Sequence, residues 1–148
     1  MSSKRKMLTA AALIGLFAMP VLAQQEIIDV DHHAAVAYLV AHPNILVRTL
    51  HLTAAEVTTL NTLVTTARNT VKPLRTADQS LTQQIQALLK DPNPDPCAIG
   101  ALVISRHDNY ELIEAAFQQF DTDFSAILTP DQLTRYEALK AVLRNTPD

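Results

Sequence analysis

His107 and Glu111 stand four residues apart in a segment of helical period. That spacing places an imidazole and a carboxylate on one helix face, where they could chelate a divalent cation. His32 and His33 lie beside Asp29 and Asp31, and Cys97, the only cysteine, could add a thiolate. Weighing against a metal centre, the chain has no HxxxH pair, and adjacent histidines on a strict helix point about 100° apart. The candidate ligands are therefore His32, His33, His107, Glu111 and Cys97, with solvated or capping histidines as the alternative. No other cofactor is implied.

Nucleophilic catalysis has less to work with. Ser105 precedes His107 and Asp108, but residues two apart face different sides of a helix. Ser80 and Ser125 have no His–Asp neighbours. The chain reads as a non-enzyme. A third kind of chemistry is electrostatic. Arg68, Lys72 and Arg75, at i, i+4 and i+7, form a basic stripe that could attract anionic partners. The alternative is a solvated flank facing the acidic Asp108, Glu111, Glu114, Asp121 and Asp123 of a second helix.

The elements that must position these groups begin with a doubled motif. Leu52-Thr53-Ala54-Ala55-Glu56 and Leu128-Thr129-Pro130-Asp131-Gln132 each precede an apolar run of helical period. Thr at the N-cap accepts from the N3 amide, and Glu56 or Gln132 at N3 reaches back to the N-cap amide. Leu52 and Leu128 fall at N′, with Val57 and Leu133 at N4, so both copies can form a hydrophobic staple. Pro130 occupies N1, where its missing N–H is harmless.

From Thr53 apolar residues recur at 3-4 spacing from Val57 to Leu88, interrupted by Asp78. This predicts a long helix over 53–89 that continues, kinked, through Pro73. Asp91-Pro92-Asn93-Pro94-Asp95-Pro96 breaks it and makes a stiff turn over 91–96. A second seam from Ile99 to Ile127, interrupted by Arg106, predicts a long helix over 98–127. A final helix follows over 129–143. Two long helices joined by a short turn lie antiparallel. Asp78 then falls within one turn of Arg106, where the two either form a register-fixing ion pair or stay wet on opposite sides. Upstream, a short helix over 31–41 stops at His42-Pro43, and 44–51 reads as an apolar connector. A hairpin this long leaves Leu63, Leu89, Leu102, Ile104 and Leu112 partly uncovered, which calls for a dimer or a deliberately exposed surface.

Residues 1–23 read as a signal peptide: Lys4-Arg5-Lys6, an apolar run from Leu8 to Met19, and small residues up to a cut after Ala23. The remainder, 24–148, suits one helical domain. With Lys4, Arg5 and Lys6 removed, nine basic residues face 15 acidic ones, a formal charge of −6. Such a chain is a poor nucleic-acid binder. Only Gly100 remains after residue 23, too little glycine for a phosphate loop. No later segment is long and apolar enough for a membrane span.

Taken together, the signal segment, Leu52-Thr53-x-x-Glu56, Lys72-Pro73-Leu74-Arg75, the acidic Pro-rich turn and Leu128-Thr129-x-x-Gln132 before Tyr136-Glu137-Ala138-Leu139-Lys140 carry a resemblance. Over 50–143 the chain resembles the Spy/CpxP family of exported LTxxQ-motif proteins. The resemblance implies an all-α, four-helix, cradle-like homodimer in the periplasm. It also implies an ATP-independent chaperone or envelope-stress protein that binds unfolded or misfolded clients. Metal-responsive relatives of the ZraP and CnrX type supply the alternative, a heavy-metal-binding sensor or resistance protein.

Overall fold

The computed structural model describes residues 33–145, and every regular element among them is an α-helix. The signal segment, Asp29, Asp31 and His32 lie outside the described residues. The helices are α1 (33–41), α2 (Pro43–Leu50), α3 (Ala54–Leu89), α4 (Pro96–Ile127) and α5 (Pro130–Arg144). The expected four-helix cradle is thus corrected to five helices among the described residues. The additional one is α2, in the stretch read as a connector.

The reason is local. Pro43 does end α1, but it also opens the next helix, because at N1 its missing N–H has no intrahelical partner to lose. Leu46 and Leu50, four apart, then turn one face into the core. The helix closes on His51 in a left-handed conformation (φ 51°, ψ 51°), and the amides of both His51 and Leu52 donate to the Val47 carbonyl. That reversal delivers the chain to the first capping box.

Helix α3 runs unbroken through Pro73. Its threonines are accommodated within the helix with their hydroxyls satisfied: Thr58, Thr59, Thr62, Thr65, Thr66, Thr70, Thr76 and Thr82 each donate to the carbonyl four residues back. After α3, Asp91 accepts from the Asn93 amide within the turn, and Asp95 caps α4 by accepting from the Cys97 amide at 2.9 Å.

The core sits at one end of the hairpin. Leu60, Val64, Ala67 and Val71 of α3 meet Phe117, Phe120 and Phe124 of α4. Val36, Leu39 and Val40 of α1, Leu46 and Leu50 of α2, and Tyr136 of α5 close around them. Phe124 stacks on Phe120 and meets the Tyr136 ring edge-on at 5.2 Å. Each such ring or branched chain removed from water contributes about 1.5–3 kcal/mol. Beyond Val71 on α3 and before Phe117 on α4, no described residue is buried. The distal half of the hairpin is a two-helix arm.

Helix α5 is held to the base by a buried charge. Lys140 is 1% exposed, and its ammonium donates to both oxygens of Asp121 at 2.9 and 3.0 Å. The Tyr136 hydroxyl donates to the same carboxylate at 2.7 Å, and the Lys140 ammonium lies 4.5 Å from the Tyr136 ring centroid. Burial first, and the Asp121 charge second, push the Tyr136 hydroxyl far above its ordinary pKa, so it stays a donor. Asp121, read from sequence as part of a solvated acidic flank, is instead the acceptor that neutralises this lysine.

Replacing Lys140 with Met keeps much of the aliphatic volume and leaves the Asp121 carboxylate without its cation. We expect Lys140→Met to lower the unfolding free energy by about 3 kcal/mol or more in chemical denaturation. Glu137→Gln, which alters only the exposed partner of Lys140, should change it by under about 1 kcal/mol.

Candidate functional site

The two capping boxes form as their spacing requires. Thr53 accepts from the Glu56 amide and donates its own amide to Glu56 at 2.7 Å; Thr129 and Gln132 repeat the arrangement with 2.9 Å for the returning bond. Leu52, Leu128 and Leu133 pack against the core. The boxes also touch each other. The Gln132 side-chain amide donates to Glu56 Oε2 at 3.3 Å, tying the starts of α3 and α5 together. Glu56 can only accept, and Gln132 has N–H groups to spare after capping its own helix. The exchange of Gln for Glu in the first copy therefore makes the pair complementary. Bonds from the Thr53 amide, then from its hydroxyl, hold the Glu56 carboxyl below its ordinary pKa of 4.5.

The basic stripe divides. Arg68 donates from Nη2 to the carbonyls of Val40 at 2.8 Å and Ala41 at 3.0 Å, and so caps the C-terminus of α1. Lys72 and Arg75 are exposed and line an open cleft of about 440 Å³ between α1 and α3, floored by Val71 and Phe117. A second cleft of about 550 Å³ continues along the arm between α3 and α4, sharing Arg75 and Gln79 with the first. Val103, Tyr110 and Ile113 give it an apolar wall. The two clefts make one groove with an apolar floor and a basic edge.

Asp78 and Arg106 cross the hairpin within this groove. Arg106 Nε donates to Asp78 Oδ1 at 2.8 Å, with both side chains part-exposed (43% and 33%). Of the two arrangements open from sequence, the ion pair is the one formed. The hydrogen bond to Asp78, then its charge, raises the Arg106 pKa further. Beside it, the Tyr110 hydroxyl is pushed up by its hydrogen bond with Glu114 and by partial burial. Glu114 Oε1 also lies 3.5 Å from Nδ1 of His33 of α1.

The candidate metal ligands are dispersed. His107 and Glu111 do meet, at 3.2 Å on an exposed face. Cys97 is exposed ten residues earlier on the same helix, about 15 Å along its axis. His33 faces Glu114, and His32 lies outside the described residues. Among the described residues no three His, Cys, Asp or Glu side chains are grouped as a metal site. No described helix is long and apolar enough to cross a membrane.

Val103 and Tyr110 fall by spacing in the seam that runs from Ile99 to Ile127, yet they are 52% and 46% exposed. Two helices alone cover only the innermost line of each seam, so the next positions stay open. Leu89, Ile104 and Leu112, expected to be uncovered, are 59%, 63% and 54% exposed. Comparisons with protein-family models, curated proteins and solved structures return no match.

A carboxyl with a depressed folded-state pKa stabilises the fold above its unfolded pKa and loses that contribution as pH falls through the folded value. We expect denaturation stability to decline below about pH 4.5 with a component owed to Glu56. Glu56→Gln keeps an accepting oxygen and should flatten that component. Parallel stability profiles for the two proteins would remove Glu56 from the account.

Proposed function

We propose that this chain is an exported, periplasmic, nucleotide-independent binding protein that holds unfolded or misfolded segments of other proteins on the arm of its hairpin. The observation that carries this reading is the pattern of burial. The base is closed by five helices, while Leu89, Val103, Ile104, Tyr110 and Leu112 remain exposed on an arm that no other described element covers. Lys72 and Arg75 stand at the edge of the adjoining groove. Such a surface suits weak, multivalent capture. Apolar side chains take up exposed client side chains, and the cations lengthen the reach of the encounter. Release needs only that each contact be weak, which fits a compartment without nucleotide.

The doubled capping motif and its resemblance to the Spy/CpxP family support the same reading. A second copy of the chain is the proposed cover for the outer apolar positions of α4, Ile104 and Leu112, giving a homodimer with the grooves left accessible. Among the described residues metal sensing has the His107–Glu111 pair in its favour and is subordinate.

Aggregation of a heat-stressed or reduced client protein, followed by light scattering, tests the proposal. Stoichiometric protein should suppress it, and Val103→Gln/Tyr110→Gln should suppress it several-fold less while unfolding at an unchanged midpoint. Scattering that is the same with and without the protein would defeat the reading.

A further inference from the structure

The two clefts differ in what meets their cations. Along the arm, Arg106 is bonded to Asp78, and His107 lies 3.2 Å from Glu111. Between α1 and α3 the lining holds Arg68, Lys72 and Arg75 and no aspartate or glutamate. Arg68 is engaged through Nη2 with the Val40 and Ala41 carbonyls. Lys72 and Arg75 are exposed, three residues apart on one face of α3, and neither pairs with a carboxylate among the described residues. Asp78, three residues after Arg75, is taken up by Arg106.

Beside these two cations the cleft is apolar. Val40, Val71 and Phe117 make its floor, each at most 5% exposed, and Ala37 and Ala41 stand on the α1 wall. Its volume of about 440 Å³ lies within the range of about 300–1,000 Å³ common to small-ligand sites. Arg68 bridges α3 to α1 where α1 ends, so the cleft is crossed at that end. A ligand that terminates inside suits this shape better than a polypeptide running through it. A purely apolar ligand would desolvate Lys72 and Arg75 without pairing them. A small inorganic anion would leave the apolar floor in water. A single molecule meets both demands when it joins a carboxylate to a hydrocarbon chain. Arg75 offers a planar fork that donates to both oxygens of a carboxylate, and Lys72 adds a point charge.

We infer that the cleft between α1 and α3 binds a single-chain amphiphilic carboxylate of the fatty-acid class. Its head lies between Lys72 and Arg75, and its chain lies along Val40, Val71 and Phe117. This site does not rest on the capture of unfolded segments by the arm.

Calorimetry of the purified protein with decanoate, kept below its micellar concentration, tests the inference. Saturable binding of one decanoate per chain is expected. Decanol has the same chain without the charge, and acetate has the head without the chain. Each should bind about tenfold more weakly or worse. Lys72→Gln/Arg75→Gln should weaken decanoate binding by about tenfold or more. Lys90→Gln/Arg135→Gln removes two exposed cations outside the cleft and should leave binding unchanged. Ala41→Trp, at an exposed position of the lining, should fill the cleft and abolish binding without moving the unfolding midpoint. Uptake that never saturates, decanol binding as tight as decanoate binding, or equal losses in the two double variants would each overturn the inference. Aggregation suppression is measured without decanoate, so the two proposals fail separately.

Discussion

A lysine ammonium in a hydrophobic base is the constraint on which the rest of this structure depends. The Lys140 ammonium lies over the Tyr136 ring, with the part-buried Asp121 and the exposed Glu137 as its carboxylate partners, and the Tyr136 hydroxyl shares the Asp121 carboxylate. A charge removed from water is tolerated only when it is paired and its hydrogen bonds are met. The position of α5 against α4 is therefore set by geometry as well as by apolar contact. The linked capping boxes act at the other end of the same short helix, where Gln132 reaches Glu56. With both ends of α5 held, α3 and α4 are fixed at their base, and α1 and α2 can close the remaining apolar faces.

Everything distal to that base is built differently. Two helices can bury only one line of side chains each, and the line here is interrupted by the Asp78–Arg106 pair. That pair has part-exposed partners, so its main effect is on register, which it fixes by allowing one alignment of α3 with α4. The arm consequently keeps its fold through local helix bonds, a thin apolar seam and one polar marker. Its remaining apolar side chains are left for something else to cover. The proposed client surface and the proposed second copy both follow from this unevenness of burial.

Much of this was legible in the chain. Capping boxes are written in four consecutive residues, so Thr53–Glu56 and Thr129–Gln132 could be placed without tertiary information. The hairpin followed from two seams and a turn with three prolines, and its register brought Asp78 to Arg106. What could not be read is equally specific. Pro43 marks both a helix stop and a helix start, and only the packing of Leu46 and Leu50 decides that α2 exists. Lys140 lies on an amphipathic face among leucines, where lysine normally stays in water; its burial depends on Asp121, nineteen residues away on another helix. Arg68 looked like part of a surface stripe because the carbonyls it caps belong to a helix brought there by the fold. The groove was hidden for the same reason: its two walls come from α3 and α4, and its end from α1.

The central claim is that one molecule contains a locked base and a weakly held arm. Native-state hydrogen exchange resolved along α3 and α4 tests it most directly. The account predicts that amides over 60–71 and 117–124 exchange only through global unfolding. Amides over 78–89 and 99–110 should exchange at least a hundredfold faster, through opening of the arm alone. Uniform protection along both helices would show that the arm is as firmly held as the base and would contradict the account.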